Sequence, residues 1–187
     1  RVIDDGADVV MLPFFKTKDE VVSFLNYVDG RAKSMLLLET PEAVENIDSI
    51  LDVKGLDYIH IGLNDLHLGY KMKFMFQLLA NGTVEMLCKK IREKGIPYGF
   101  GGLAQLGQGE LPAECILTEH YRLKSSMVIL SRSFCDTNKI INPDQIRSLF
   151  FKGIGDIRDF ENKLRKADPS YFVSNKEQLL YIVNKTT

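Results

Sequence analysis

Residues 34–66 have the sequence SMLLLETPEAVENIDSILDVKGLDYIHIGLNDL, in which two short apolar runs flank one helical pattern. The first run ends in Glu39, and the second ends shortly before Asp65. Runs that are apolar at almost every position are typical of strands buried on both faces of a parallel sheet. Thr40 followed by Pro41 predicts the N-terminus of the helix between them. The stretch therefore predicts a strand–helix–strand unit of an α/β fold.

The same pattern repeats along most of the chain. The runs of strand length occupy residues 8–13, 34–39, 57–62, 97–101 and 126–130. Capped helical patterns lie between them, as in a series of parallel βα units. Two architectures are compatible with such a series: a doubly wound open sheet, or a (β/α)8 TIM barrel of which only about the last five βα units are present. The length of 187 residues favours the open sheet, whereas a start resembling the last turn of a helix favours the barrel.

The C-terminal part of the chain changes character. We expect residues 1–136 to form the partial (β/α)8 barrel domain and residues 137–187 to form a C-terminal helical extension. Within the extension, helices without intervening strands are predicted at residues 143–151, 156–166 and 175–184. Such an appendage commonly packs against another subunit, so we expect a homo-oligomer.

Composition excludes several classes of function. The sequence has 24 Lys and Arg against 25 Asp and Glu, a net charge of −1, so we expect neither nucleic acid nor an anionic membrane as a partner. The longest apolar run is interrupted at Pro13 and is too short to cross a bilayer. Three widely spaced cysteines, Cys88, Cys115 and Cys135, indicate neither a disulfide framework nor a zinc site. We therefore expect a cytoplasmic protein.

Two carboxylates are the strongest candidates for chemistry. In both architectures ligands bind at the carboxyl ends of the strands, where Glu39 and Asp65 are placed. Neighbouring parallel strands lie about 4.8 Å apart, so the two side chains are expected within reach of one cation. Two carboxylates completed by water and substrate oxygens are how Mg²⁺ or Mn²⁺ is usually held. The alternative is structural: Glu39 caps the helix that begins at Pro41, and Asp65 caps a turn.

Residues 36–47 and 55–66 resemble the HpcH/HpaI aldolase and citrate lyase beta-subunit family. That family carries an E-T-x-x-A-V-x-N-I segment on one strand–helix unit and a G-x-x-D-L segment on the next, at the spacing found here. The similarity extends over roughly residues 1–135. The resemblance implies a pyruvate/phosphoenolpyruvate-type barrel in which Glu39 and Asp65 bind the divalent metal, Mg²⁺ or Mn²⁺.

The same resemblance implies a reaction. The family cleaves or forms a carbon–carbon bond next to a 2-oxo acid or an acyl-CoA ester, through a metal-stabilised enolate. The backbone N–H groups of the turn formed by Gly62, Leu63, Asn64 and Asp65 are expected to bind the substrate carboxylate. Leu37 stands where aldolases of the family often have Gln, a difference that affects substrate contacts more than metal binding.

Other residues are weaker candidates for the site. His67 follows Asp65 by two positions and is a candidate catalytic acid or base. Arg132 follows the last predicted strand and suits an anionic substrate, although a plain surface arginine is the alternative. Gly101 and Gly102 lie in a segment that formally matches a dinucleotide fingerprint, but the helix that such a site requires begins too late. We therefore interpret these two glycines as a substrate-binding rim of the pocket rather than as an NAD site.

The sequence favours a divalent-metal-dependent carbon–carbon lyase of aldolase type that acts on a 2-oxo acid or a related anionic substrate. Two alternatives stay open. One is a non-catalytic small-molecule-binding or assembly protein on the same barrel, and the other is a phosphoenolpyruvate-type mutase or hydrolase.

The barrel interpretation predicts how the chain behaves when it is expressed alone. A barrel of about 250 residues would have three further βα units, and the enolate-stabilising Arg of the resembled family, before Arg1. A five-eighths barrel leaves two sheet edges open, and open edges pair with other chains. We therefore expect aggregation in size-exclusion chromatography and light scattering. A soluble monomer with a cooperative thermal transition would contradict this expectation.

Overall fold

Strands and helices alternate up to residue 130 of the computed structural model, which describes residues 1–136 and 138–187. The elements are β1 (Val9–Leu12), α1 (Lys18–Val28), β2 (Lys33–Leu38), α2 (Pro41–Glu45), α3 (Ile47–Leu51), β3 (Tyr58–Ile61), α4 (Leu63–Gly69), α5 (Gln77–Ala80), α6 (Thr83–Glu93), β4 (Tyr98–Leu103), α7 (Ala113–Arg122), β5 (Met127–Leu130), a 3-10 turn (Arg132–Phe134), α8 (Pro143–Leu164) and α9 (Pro169–Thr186). All the predicted strands are confirmed, including the glycine-containing β4. The predicted first residue of the helical extension, Thr137, lies outside the described residues.

The strand order decides between the two architectures. The strands form one sheet in the order β1-β2-β3-β4-β5, and β1 to β4 run parallel to one another. A doubly wound sheet reverses its strand order at a switch point, whereas each strand of a (β/α)8 barrel pairs with the next one along the chain. The sheet therefore has the order of a barrel segment, and the open doubly wound sheet is excluded. The complete eight-unit barrel stays a prediction.

The register of β2 and β3 is held by a shared apolar face. Leu36 lies opposite Ile59, and Leu38 lies opposite Ile61. All four side chains are fully buried, and burial of such a side chain contributes about 1.5–3 kcal/mol relative to exposure. A slip of one residue would turn these side chains to the other face of the sheet, so the register is strongly specified.

Contacts divide the chain into two units. The first consists of residues 1–101 and 125–127 and contains β1 to β3 with α1 to α6. The second consists of residues 102–124 and 128–187 and contains α7, which packs against both α8 and α9. No helix in the described residues is both long enough and apolar enough to cross a membrane. The predicted domain boundary after residue 136 stays a prediction.

The helix predicted to begin at Pro41 is interrupted. Asn46, with φ −91° and ψ 8°, separates α2 from α3. Its side-chain amide donates a hydrogen bond to the backbone carbonyl of Lys16 (3.0 Å). The break therefore follows from a contact with a distant loop, and the helical spacing of the apolar residues gave no sign of it.

The prediction of separate helices at residues 143–151 and 156–166 was wrong, because both belong to the continuous helix α8. Gly153 and Gly155 lie between the two predicted helices, and glycine weakens a helix interior. Gly153 instead permits close packing: a Cβ at this position would lie 2.7 Å from Cζ of the buried Phe134 ring. A Cβ at the exposed Gly155 would have no atom within 4 Å.

These two glycines make a matched pair for mutation. We expect Gly155→Ala to stabilise the protein by about 0.5–1 kcal/mol, because alanine has the higher helix propensity and meets no neighbour. Gly153→Ala should destabilise it by about 1–3 kcal/mol, because the added methyl group overlaps a packed ring. Urea denaturation of both variants, made in the full-length protein, measures these changes. A stabilising Gly153→Ala would show that the packing around Phe134 is loose.

Candidate metal-binding cleft

Hydrogen bonds join the loop after β1 to the end of β2. The backbone N–H of Phe14 donates to Oε1 of Glu39 (3.1 Å). The Thr40 hydroxyl donates to the carbonyl of Phe15 (2.7 Å) and accepts a bond from the N–H of Ala43, so it also caps α2. Within the described residues, Oε2 of Glu39 has no hydrogen-bond donor. Thr40, and not Glu39, therefore caps helix α2. The Glu39 carboxylate instead accepts its hydrogen bond from the loop after β1.

Gly62, the residue after β3, makes room for the Glu39 carboxylate. A Cβ at Gly62 would lie 2.9 Å from Oε2 and 2.9 Å from Cβ of Glu39. The Gly62 backbone has φ −82°, a value open to other residues. The requirement for glycine here is therefore steric, and it arises from the close approach of the carboxylate.

Glu39 and Asp65 line one cleft of about 570 Å³ in the first unit. The other residues that line it are Phe14, Lys16, Thr40, Pro41, Glu42, Glu45, Leu68 and Gly69. Burial raises the pKa of Glu39 above its ordinary value, the Phe14 N–H opposes this shift, and the nearby charge of Asp65 adds to it. The structure therefore brings the two predicted carboxylates together, close enough to repel each other.

The donor set of the cleft fits a divalent cation that prefers oxygen ligands. Mg²⁺ is usually bound by one or two carboxylates, with water or substrate oxygens at the remaining positions. A cation between Glu39 and Asp65 would compensate for the burial of the Glu39 charge, the main cause of its raised pKa, and would relieve the smaller repulsion by Asp65. No cluster of three or more His, Cys, Asp or Glu side chains suited to a metal occurs in residues 1–136 and 138–187. Glu39 and Asp65 are the carboxylates of this cleft that could hold the ion, because both line it and the charge of one acts on the other.

Lys16 is the basic residue among those that line the cleft. Its Nζ donates a hydrogen bond to Oε1 of Glu42 (2.7 Å), and this bond raises the pKa of Lys16. Both side chains are about half exposed, so solvent screens the pair and its contribution to stability is small. Sequence reasoning missed Lys16 and Phe14. The available signal was their position just after a strand, at the edge of the sheet where ligands bind.

The turn that follows β3 begins α4. The Gly62 N–H donates to the Leu38 carbonyl (2.9 Å), so this amide is already occupied. Leu63 is buried and Asn64 is exposed, and their N–H groups belong to the first turn of the helix, where no intrahelical acceptor exists. His67 is buried in the same helix and does not line the cleft.

The remaining predicted site residues follow β4 and β5. Gly101 has φ +63° and lies against the buried Leu63 side chain, where a Cβ would be 3.0 Å from Cδ1. A Cβ at Gly102 would lie 3.2 Å from Cβ of Ser131. Arg132 is exposed on the 3-10 turn of the second unit. Packing accounts for both glycines, and their predicted substrate contact, like that of Arg132, stays a prediction.

His60 lies on the opposite face of β3 from Ile59 and Ile61, and it pairs in register with Leu37. The imidazole is 2% exposed, and neither ring nitrogen has a hydrogen-bond partner among the described residues. Burial lowers its pKa from 6.5 to about 4. The ring is therefore neutral at pH 7.

The chain is similar to known proteins in sequence and in fold. A family model described as HpcH/HpaI aldolase/citrate lyase matches residues 1–95. The 2-keto-3-deoxy-L-rhamnonate aldolase of Shigella dysenteriae serotype 1 (strain Sd197) is 29% identical over 136 residues, which cover 56% of this chain and 51% of the relative. The chain thus spans about half the length of that curated relative.

Solved structures with a similar fold include two proteins of the same description. One is from Burkholderia cenocepacia J2315 and has a TM-score of 0.57 at 12% identity. The match covers 84% of this chain and 67% of that protein's chain. The other is from Desulfitobacterium hafniense DCB-2 and has a TM-score of 0.54 at 18% identity. The match covers 84% of this chain and 66% of that protein's chain. At these identities the likeness shows the fold alone.

The buried imidazole of His60 predicts how stability depends on pH. The unfolded chain binds a proton on His60 below about pH 6.5, whereas the folded protein does so only near pH 4. The free energy of unfolding should therefore fall as the pH is lowered through this range, by up to about 3 kcal/mol. Urea denaturation of the full-length protein between pH 7 and pH 4.5 tests this expectation. His60→Leu should flatten the dependence, and equal slopes in both proteins would contradict it.

Proposed function

The chain belongs to the HpcH/HpaI aldolase/citrate lyase family, as its motifs predicted, and from this premise we propose that it is part of a divalent-metal-dependent carbon–carbon lyase. The proposed substrate is a 2-oxo acid or a related anionic compound. The relative named as a 2-keto-3-deoxy-L-rhamnonate aldolase supports the aldolase type of reaction. A cytoplasmic location and a homo-oligomeric state, expected from the sequence, belong to the same proposal.

One observation carries the proposal. Glu39 and Asp65 follow neighbouring parallel strands and line a single cleft, and the Glu39 carboxylate is buried beside the Asp65 charge. Two acids brought together in this way are destabilising unless a cation or a shared proton compensates for their charge. A structural capping role for both residues would not require their proximity.

The metal, Mg²⁺ or Mn²⁺, would be held by Glu39 and Asp65, and when bound it would polarise the substrate carbonyl and stabilise negative charge on the adjacent carbon. The Phe14 N–H orients Glu39 by its hydrogen bond to Oε1, which leaves Oε2 for a ligand. The amides of Leu63, Asn64 and Asp65 are the proposed donors to the substrate carboxylate.

Proton transfer and charge recognition need further residues. His67 is the proposed acid or base, because it follows Asp65 by two positions and its Nδ1 has no hydrogen-bond partner among the described residues. Arg132 is the proposed residue for an anionic group of the substrate. Gly101 and Gly102 are the proposed backbone contacts of the pocket rim.

Metal binding tests the central part of the proposal. Mn²⁺ affinity, measured by electron paramagnetic resonance, should fall at least about tenfold in Glu39→Gln and in Asp65→Asn, because each loses a charged ligand. Asp52→Asn, in an exposed ion pair outside the cleft, is the control and should bind Mn²⁺ as the unmodified chain does. Unchanged affinity in both cleft variants would refute the metal site.

The raised pKa of Glu39 adds a second readout. A carboxyl with a raised pKa stabilises the fold when protonated, and this contribution is lost as the pH rises through its pKa. At pH 7 without metal, full-length protein carrying Glu39→Gln should therefore be more stable than the unmodified full-length protein. Thermal melting measures this difference, and added Mn²⁺ should stabilise the unmodified chain but not the variant.

Turnover separates the lyase from its alternatives. Full-length protein with Mn²⁺ is incubated with 2-oxo acids, with and without aldehydes, and the products are identified. Aldol formation or cleavage supports the lyase, whereas rearranged or hydrolysed products indicate the mutase or hydrolase. Ligand binding without any turnover would indicate the non-catalytic binding protein.

A further inference from the structure

Phe14 has a backbone conformation that is unusual for an aromatic residue. Its φ is +52°, in the left-handed region that favours glycine. The other described non-glycine residues with positive φ are Asp29, Lys71 and Lys124. Each of these three follows the end of a helix, which is the common place for this conformation. Phe14 instead follows a strand, so its conformation needs a separate explanation.

The backbone of Phe14 is explained by Glu39. In the left-handed conformation its N–H reaches Oε1 of Glu39 (3.1 Å), and the adjacent Phe15 carbonyl accepts the Thr40 hydroxyl (2.7 Å). A glycine would provide the same amide at lower conformational cost. The hydrogen bond therefore accounts for the backbone of Phe14 but not for its phenyl ring.

Phe14 is one of the residues that line the cleft, and its surface is largely exposed. Phe14 lines the cleft of Glu39 and Asp65, yet its side chain remains 60% exposed, so burial in the protein explains little of its presence. Leu68, which is 58% exposed, lines the same cleft. Small-molecule sites combine a few placed polar groups with apolar walls. The two carboxylates are among those polar groups, and Phe14 and Leu68 are exposed apolar residues of the same cleft.

We propose that Phe14 determines which 2-oxo acids the cleft accepts, because its ring packs against the carbon chain beyond the 2-oxo group. This inference rests on the proposed function and extends it to the choice of substrate. The ring would favour acids with an apolar carbon next to the carbonyl, such as pyruvate and 2-oxobutyrate, over glyoxylate, which has none. The strained backbone is retained because one residue must supply both the amide for Glu39 and the apolar wall.

The test compares ligand affinity, metal affinity and stability in the same proteins. Calorimetry measures the affinity of the full-length, Mn²⁺-loaded protein for 2-oxobutyrate and for glyoxylate. In Phe14→Gly and Phe14→Ala the preference for 2-oxobutyrate should fall about tenfold, since about two carbon groups lose their apolar contact. Mn²⁺ affinity should stay unchanged, because the backbone amide is kept, and Phe14→Tyr should retain the preference.

Thermal melting separates the ring from the backbone. Phe14→Gly should melt about 2–4 °C above Phe14→Ala, because only glycine relieves the left-handed conformation, while both variants show the same loss of preference. Tyr27→Ala, which removes an aromatic residue that is 80% exposed and lies outside this cleft, is the control and should keep the preference.

The outcomes distinguish this inference from the proposed function. If the unmodified chain binds neither Mn²⁺ nor any 2-oxo acid, the proposed function fails and the role of Phe14 fails with it. If the unmodified chain binds both and Phe14→Ala keeps the preference, only the role of Phe14 is overturned. A loss of Mn²⁺ affinity in Phe14→Ala would also overturn it, because the residue would then act through the position of Glu39.

Discussion

The register between β2 and β3 is the constraint on which the cleft depends. With Leu38 opposite Ile61, the next residues on the two strands are Glu39 and Gly62, and the missing side chain of Gly62 leaves the space that the Glu39 carboxylate occupies. A slip of one residue would exchange the two faces of the strand and remove the carboxylate from the cleft. The buried aliphatic face therefore determines where the charge lies, in addition to stabilising the sheet.

Two unfavourable features meet at this edge of the sheet. Glu39 is a buried carboxylate with its pKa raised by burial and by Asp65, and Phe14 has a left-handed backbone. They are linked, because the Phe14 N–H is the hydrogen-bond donor that partly compensates for the buried charge. The loop is held in place by the burial of Phe15 and by its bond with Thr40. Strain and perturbed pKa values that coincide in this way are typical of functional sites.

The strands were predictable because a strand buried on both faces needs apolar residues at nearly every position. The glycines of β4 weakened that pattern without preventing the strand, since Gly99 lies where a Cβ would meet the backbone of Met127. Helix interruptions were less predictable. The helix is interrupted at Asn46, whose side chain donates a hydrogen bond to the loop at Lys16. Helix α8 is continuous through Gly153, which packs against the ring of Phe134. These outcomes depend on contacts between residues far apart in the sequence.

The sequence by itself determined the βα repeat, the two acids at strand ends and the family, because periodicity, capping residues and motif spacing are local properties. It left open whether the strands form a doubly wound sheet or part of a barrel, since both have the same local pattern. The tertiary structure decided this through the strand order. It also decided that Phe14 and Lys16 line the cleft with Glu39 and Asp65. Neither residue belongs to a motif, and only the pairing of β1 with β2 brings their loop to the carboxylates.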